Sequence, residues 1–284
     1  MISNKTKDKL FQYWALSCTV LGLVLLSIFI GNILLDGLHR IDWNFLTALP
    51  SRRAEKAGIY TAMLGTVWIL VLTAMIAFPL GVATAIFLEE YGGQSRLSKL
   101  LEINISNLAG VPSVIYGLLG LEVFARALKL GPSLLTGSIT LSLLVLPIVI
   151  VSTREAIKAV PGSLREASYA LGATQWQTIW NQVLPASYGG ILTGVILALS
   201  RAVGEAAPLI VVGALAYVPF APTTPMDEFT VLPIQIFNWV SRPQHSFSIN
   251  ASAAIIILLL ITFLMNGIAV YMRNKWQNKL KIKS

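Results

Sequence analysis

The sequence predicts an all-α polytopic membrane protein with six transmembrane helices, and three observations predict it. Of 284 residues, 55% are hydrophobic and only 12% are charged, where a water-soluble domain carries about a quarter charged residues. The mean hydropathy is +0.72. Several uncharged apolar runs reach the ~18–20 residues needed to cross a bilayer.

The first span is read from about Trp14 to Leu35. Lys5, Lys7 and Lys9 precede it as they would in a secretory leader. Its apolar stretch, however, exceeds the ~7–15 residues of a leader core and no small-x-small cleavage site follows, so the helix is expected to be retained. The second span covers about Ile59 to Leu88 with Pro79 inside it, and a polar segment with the turn pair Gly92-Gly93 follows. A third covers about Ile105 to Ala125, interrupted by Gly110, Pro112 and Gly117, and a fourth about Leu134 to Ser152. A polar excursion then occupies Thr153 to Pro185. The fifth span, about Tyr188 to Tyr217, contains Arg201, Glu205 and Pro208. The sixth runs from about Ala251 to Tyr271 and leads into the cations Arg273, Lys275, Lys279, Lys281 and Lys283.

The net charge of +8 has no basic stripe interleaved with aromatics behind it, so nucleic acid is not an expected partner. The cations cluster beside apolar spans, where they orient the chain and contact anionic membrane lipid. With the amino terminus inside, thirteen lysines and arginines fall on one face and seven on the other (Arg40, Arg52, Arg53, Lys56, Arg126, Lys129 and Arg242). The positive-inside rule therefore puts both termini and the excursion in the cytoplasm, although four cations in the first outer loop weaken the bias locally. Cys18 is the only cysteine, and His39 and His245 stand apart. An internal disulfide is excluded, and neither a metal site nor a catalytic set is expected. No fixed-period repeat and no inverted pair of broken helices is visible, so the symmetry usual in secondary transporters is not expected.

The excursion reads as two short capped helices. Ser163 with Glu166, and Thr174 with Gln177, have the spacing of capping boxes. Gly172 is placed to stop the first helix in a left-handed conformation. Trp176, Ile179, Trp180 and Val183 fall at i, i+3, i+4 and i+7, predicting one apolar aromatic face in the headgroup layer. A short helix projecting from a membrane bundle is a docking element that can transmit rigid-body motion. Glu166-Ala167, Gly172 and Leu184-Pro185 stand in the register of the EAA motif of ABC-importer permeases, with Ser168 and Gln182 as departures. That resemblance implies that the first helix, with Ser163, Arg165, Glu166, Ala167 and Gly172, seats in a cleft of a partner ATPase.

Arg201 lies about 15 residues beyond Pro185, which at 1.5 Å per residue puts it some 20 Å along its helix. A charge at such depth costs at least ~2.5–3.5 kcal/mol and needs a partner or a wet path. Glu205, at i+4, is expected on the same helical face. Two readings of the pair stand on the residues alone: a closed ion pair that fixes packing, or a pair that lines a translocation path. In the second, the planar arginine fork suits an oxyanion, and Glu205 steadies the guanidinium and prevents overly tight anion binding. Gly190 and Gly194 form a small-xxx-small pair that suits close helix approach.

Five separated segments resemble the phosphate-specific permease family of ABC importers, in its PstA branch. These are Gly58-Ile59-Tyr60 with Gly65-Thr66; Pro79-Leu80-Gly81-Val82-Ala83; Glu89-Glu90-Tyr91-Gly92; Asn107 to Ser113 through Gly117-Leu118; and Ser200 to Pro208. The resemblance implies a type I ABC importer permease fold in a bacterial inner membrane. It divides the chain into a tail, first helix and periplasmic loop (1–57), a five-helix transmembrane domain with a coupling helix at about 163–172 (58–272), and a basic tail (273–284). It implies that Arg201 takes part in phosphate passage with Glu205 as its companion, and that Asn107 and Ser113 are weaker candidates for the path. The implied partners are a homologous second permease (PstC-like), a dimer of ATP-binding subunits (PstB-like) and a periplasmic phosphate-binding protein (PstS-like). The chain lacks a Gly-x-x-x-x-Gly-Lys-Ser/Thr cradle, so it is expected to bind no cofactor, and ATP belongs to the partner. A permease for another oxyanion or small solute, and a membrane scaffold in which the charges only pack, are the competing readings.

Overall fold

The computed structural model describes residues 4–93, 95–214 and 217–281, and of Asn4, Thr6 and residues 276–281 only the main chain. Lys283 of the basic tail, and Leu215 and Ala216 of the expected fifth span, lie outside the described residues. The chain is helical throughout, with no strand among the described residues: α1 (Asn4–Gly37), α2 (Trp43–Thr47), α3 (Tyr60–Ile86), α4 (Arg96–Ala109), α5 (Ser113–Leu119), α6 (Leu134–Lys158), α7 (Gly162–Ala170), α8 (Gln175–Thr178), α9 (Leu184–Val203), α10 (Ala207–Val212), α11 (Leu232–Val240) and α12 (His245–Lys281). Wider π turns prolong α3 over Phe87–Tyr91, α5 over Gly120–Ala127 and α8 over Ile179–Val183. Among the described residues five stretches are long and apolar enough to cross a membrane: α1, α3, α6, α8 running into α9, and α12. The pair α4–α5 supplies a sixth if its two bent halves count as one.

Contacts between distant residues sort the connections to two ends. At one end Arg40 Nε donates to Asn250 Oδ1 at 3.0 Å, and the amide of Leu134 donates to the carbonyl of Asp227 at 3.0 Å. At the other end Arg154 reaches Glu89 and Glu102, and Arg165 reaches Glu90. The start of α1 and the end of α12 therefore point toward the side that carries α7.

The centre is the stack of α3, α6 and α9. Lipid tails are as apolar as leucine, so packing inside a membrane depends on close approach and interhelical hydrogen bonds rather than on escape from water. Both are present. A side chain at Gly81 of α3 would meet Val149 of α6 at 2.5 Å, and one at Gly194 of α9 would overlap Ser152 of α6. Gly190 sits in the same way against Ala156, so the small-xxx-small pair is the face by which α9 lies on α6. Between α3 and α6, Thr73 Oγ1 donates to Ser138 O and Ser142 Oγ donates to Thr73 O, each at 3.3 Å. Val145, Val149, Ala198 and Ala202 close the interior there.

Two expected spans are broken. The third bends by 109° between α4 and α5. Pro112 removes an amide donor and holds Val111 out of the helical region, and Tyr116 Oη pins the bend by donating to Leu108 O at 2.7 Å. The fifth ends at Val203, and α10 starts only at Ala207. The ring of Pro208 would strike the carbonyl of Gly204 four residues back if the helix continued. The fourth span is longer than expected, because α6 runs on to Lys158 through Pro147.

Candidate functional site

Arg201 occupies the last turn of α9. Its neighbours Ala198 and Ala202 are buried against α6, which turns the guanidinium to the uncovered side of the helix. Its side chain is 64% exposed, on a strip with Leu197 and Gly204 that the described residues leave uncovered. Glu205 is 20% exposed, and its Oε1 stands 3.6 Å from Arg201 Nε.

The pair forms, but not along a helical face. Gly204 caps α9, with its amide on Arg201 O at 3.2 Å, and the amide of Glu205 follows onto Ala202 O at 3.1 Å. Glu205 thus lies in the break between α9 and α10, because Pro208 ended the helix. The shortest approach, through Nε, is longer than a hydrogen bond, so the terminal guanidinium nitrogens make no hydrogen bond to Glu205. An arginine with its fork outward can donate two parallel hydrogen bonds to an oxyanion.

Asn107 and Ser113 fall on either side of the α4–α5 bend. Asn107 is exposed in the last turn of α4, where its carbonyl accepts from Gly110. Ser113, half-buried, is the first residue of α5. One turn on, a side chain at Gly117 would meet the Pro208 carbonyl oxygen at 2.7 Å. That contact seats α5 against α10, the helix that follows the Arg201–Glu205 break.

At the other end, α7 buries none of its residues. Ser163, Glu166, Ala167 and Gly172 are exposed, and Leu171 is 90% exposed. The stop is as expected: Gly172 has φ +84, with its amide on Tyr169 O at 2.9 Å and that of Ala173 on Ser168 O at 3.2 Å, the two bonds of a Schellman ending. The capping box of Thr174 with Gln177 is present. The one proposed for Ser163 and Glu166 is not. Pro161 serves as the N-cap and no side chain caps the helix, so Ser163 already has helical backbone and cannot act as a cap residue. The expected aromatic stripe also divides. Ile179 and Val183 are fully buried, while Trp176 and Trp180 stay exposed and stack at 5.6 Å, because the π turn over Ile179–Val183 changes the angular spacing.

Arg165, expected on the docking surface, turns inward instead. It donates to Glu90 Oε1 from Nη2 at 2.8 Å and from Nε at 3.2 Å, and to the carbonyls of Val160 and Ile157 at 2.8 and 3.1 Å. Sequence reasoning gave no role to Glu89, Glu90, Glu102 or Arg154, which complete this network. Its members come from four separate segments, so only the Glu89-Glu90 pair beside a span end could have drawn notice.

The chain matches the family described as binding-protein-dependent transport system inner membrane component over residues 77–278. It belongs to that family. This permease subunit is 34% identical to the phosphate transport system permease protein PstA 1 of Mycobacterium tuberculosis (strain CDC 1551 / Oshkosh) over 229 residues, 79% of this chain and 73% of that protein. It is 30% identical to the phosphate transport system permease protein PstA of Haemophilus influenzae over 276 residues, covering 97% and 96% of the two chains. Among solved structures, the bacterial alginate ABC transporter in complex with an alginate pentasaccharide-bound periplasmic protein shares the fold, with a TM-score of 0.69 at 18% identity over 95% of each chain. The permease is thus a multi-pass membrane subunit of an ABC importer with the type I permease architecture.

Proposed function

We propose that this chain forms one half of the translocation path of an ATP-driven importer for inorganic phosphate, with Arg201 as the anion-handling residue. The observation that carries the reading is the exposed guanidinium of Arg201, held in the last turn of a membrane-crossing helix with its carboxylate companion to one side. A bare cation facing hydrocarbon would cost at least ~2.5–3.5 kcal/mol. Facing a hydrated path closed by a second permease, it meets the anion instead. Similarity to phosphate transport permeases supplies the cargo.

In this reading a periplasmic phosphate-binding protein delivers the anion to a path made by this chain and a homologous permease. Two ATP-binding subunits hold the nucleotide, and this chain binds no cofactor. Their closure moves the exposed helix α7, with Glu166, Ala167 and Gly172 at the contact, and reorients the spans so that Arg201 faces one side and then the other. Asn107 and Ser113 line the same path more distantly. Residues 58–272 form the transmembrane domain, preceded by 1–57 with the first helix and followed by the basic tail 273–284. Both termini and α7 face the cytoplasm of a bacterial cell, as the distribution of lysine and arginine supports.

The test is ATP-driven uptake of labelled phosphate in proteoliposomes holding the co-purified complex. Arg201→Gln is expected to abolish uptake with assembly intact, and unchanged uptake removes the role assigned to Arg201. Competition by sulfate or molybdate that matches competition by phosphate transfers the cargo to another oxyanion.

A further inference from the structure

The network beneath α7 is built as a mechanical joint. Glu90, in the π turn that ends α3, is 7% exposed, and the Arg165 side chain is 19% exposed. The carboxylate of Glu90 accepts two bonds from Arg165 of α7, while its main-chain carbonyl accepts from the side-chain amide of Gln175 at the start of α8. The same guanidinium donates to the carbonyls of Ile157, in the last turn of α6, and Val160, just beyond it. Glu89 beside it takes Arg154 of α6, and Arg154 also holds Glu102 of α4. One pair of side chains therefore gathers α3, α6 and α7, and the main chain of Glu90 adds α8.

What else ties α7 down is slight. Leu164 packs against the small cluster formed by Ile157, Val160 and Val183, and Ser168 Oγ lies 2.8 Å from Thr178 Oγ1. An apolar contact such as that of Leu164 is non-directional. A planar fork engaged by a carboxylate and two fixed carbonyls is directional and resists rotation. A push on the outer face of α7 is thus delivered to the ends of α3 and α6 through Arg165.

From this geometry we infer that Glu90 and Arg165 are positioning residues that transmit the motion of α7 to the bundle, coupling ATP hydrolysis in a partner subunit to import. The inference rests on the reading of α7 as the helix that docks on the ATPase. Neither residue touches the cargo, so their loss does not block the path. It lets α7 move without the spans.

The experiment compares wild type, Glu90→Gln and Arg165→Lys in the full complex in proteoliposomes, reading phosphate imported per ATP hydrolysed. Glu155→Gln, which alters an exposed pair with Lys158, is the control. Both variants are expected to keep the ATPase bound and ATP turning over while the ratio falls at least about fivefold, the lower end of ordinary coupling between sites; Glu155→Gln keeps the wild-type ratio. A ratio equal to wild type, or uptake and hydrolysis falling in proportion, overturns the inference. If neither variant assembles, Glu90→Asp is measured as the milder change, and failure of all three to retain the ATPase assigns the pair to assembly and overturns transmission. A wild-type complex that imports no phosphate on ATP sinks the underlying reading instead.

Discussion

Arg201 and Glu205 meet across the end of a helix, with Arg201 Nε 3.6 Å from Glu205 Oε1 over the capping residue Gly204. A pair on one continuous helical face would be held by the helix. Here the carboxylate rides on the short break before α10, and the guanidinium can leave it without unwinding α9. Glu205→Gln is therefore expected to keep the complex assembled, lower the KM for phosphate and slow turnover, because the anion no longer has a competitor for Arg201. Initial uptake rates across phosphate concentrations check it; an unchanged KM with reduced turnover excludes competition.

The glycine at 117 and the glycine at 204 respond differently to the same change. A methyl at Gly117 would stand 2.7 Å from the carbonyl oxygen of Pro208 and 2.8 Å from its Cα, both main-chain atoms, while one at Gly204 would find its nearest neighbour at 3.8 Å. Gly117→Ala is expected to destabilise the α5–α10 contact by roughly 1–3 kcal/mol, the ordinary penalty of overpacking, and Gly204→Ala to leave the fold unchanged. Thermal unfolding of both variants in detergent separates them.

Arg40 closes the end of the bundle away from α7. Its side chain, 15% exposed, donates to Asn250 Oδ1, to the carbonyls of Ala54, Glu55 and Ala57, and to Asp42 Oδ1, and it stacks on Phe45 at 4.9 Å. Lysine keeps the charge and loses the fork. Arg40→Lys is expected to cost about 1.5–3 kcal/mol, the range for hydrogen bonds to charged groups, and to loosen the junction of α1 with α12. Thermal unfolding in detergent checks it: the variant should unfold at a lower temperature than the wild type, and an unchanged temperature would remove the weight placed on the fork.

Asp227 sets an acid dependence at the start of α6. The Thr224 hydroxyl and the amides of Thr223 and Thr224 donate to its carboxylate, which holds its pKa well below the usual range. A carboxyl that titrates lower in the folded chain than in the unfolded one adds stability that is complete above about pH 4, the unfolded value, and drains as pH falls through the folded one. The same turn supplies the Asp227 and Pro225 carbonyls that accept from Leu134 and Leu135. Asp227→Asn should speed hydrogen exchange at those two amides at neutral pH and remove the acid-range loss of protection expected of the wild type. Equal exchange in both proteins would sever the turn from the helix start.

Local chemistry made much of this legible. The left-handed stop at Gly172, the cap of Thr174 with Gln177 and the small-residue face at Gly190 and Gly194 each depend on neighbours within a turn or two, and all three are present. The failures were of another kind. The box at Ser163 lost to Pro161 two residues earlier, the stripe from Trp176 to Val183 split where a π turn changed the spacing, and the face shared by Arg201 and Glu205 dissolved when Pro208 ended the helix. In each case an i+3 or i+4 count assumed a regular helix that the main chain did not keep.

By itself the sequence determined that the chain crosses a membrane on helices, where a short helix stands clear of the bundle, and which cation, Arg201, falls far along an apolar span. Those follow from apolar length, caps and the expense of a charge in hydrocarbon, all of which are properties of contiguous residues. Only the tertiary structure decided that Arg165 faces inward to Glu90 and that Arg201 faces outward. Side-chain direction depends on which distant backbone lies alongside, and that is set by packing between segments some 75 residues apart, beyond the reach of any local pattern.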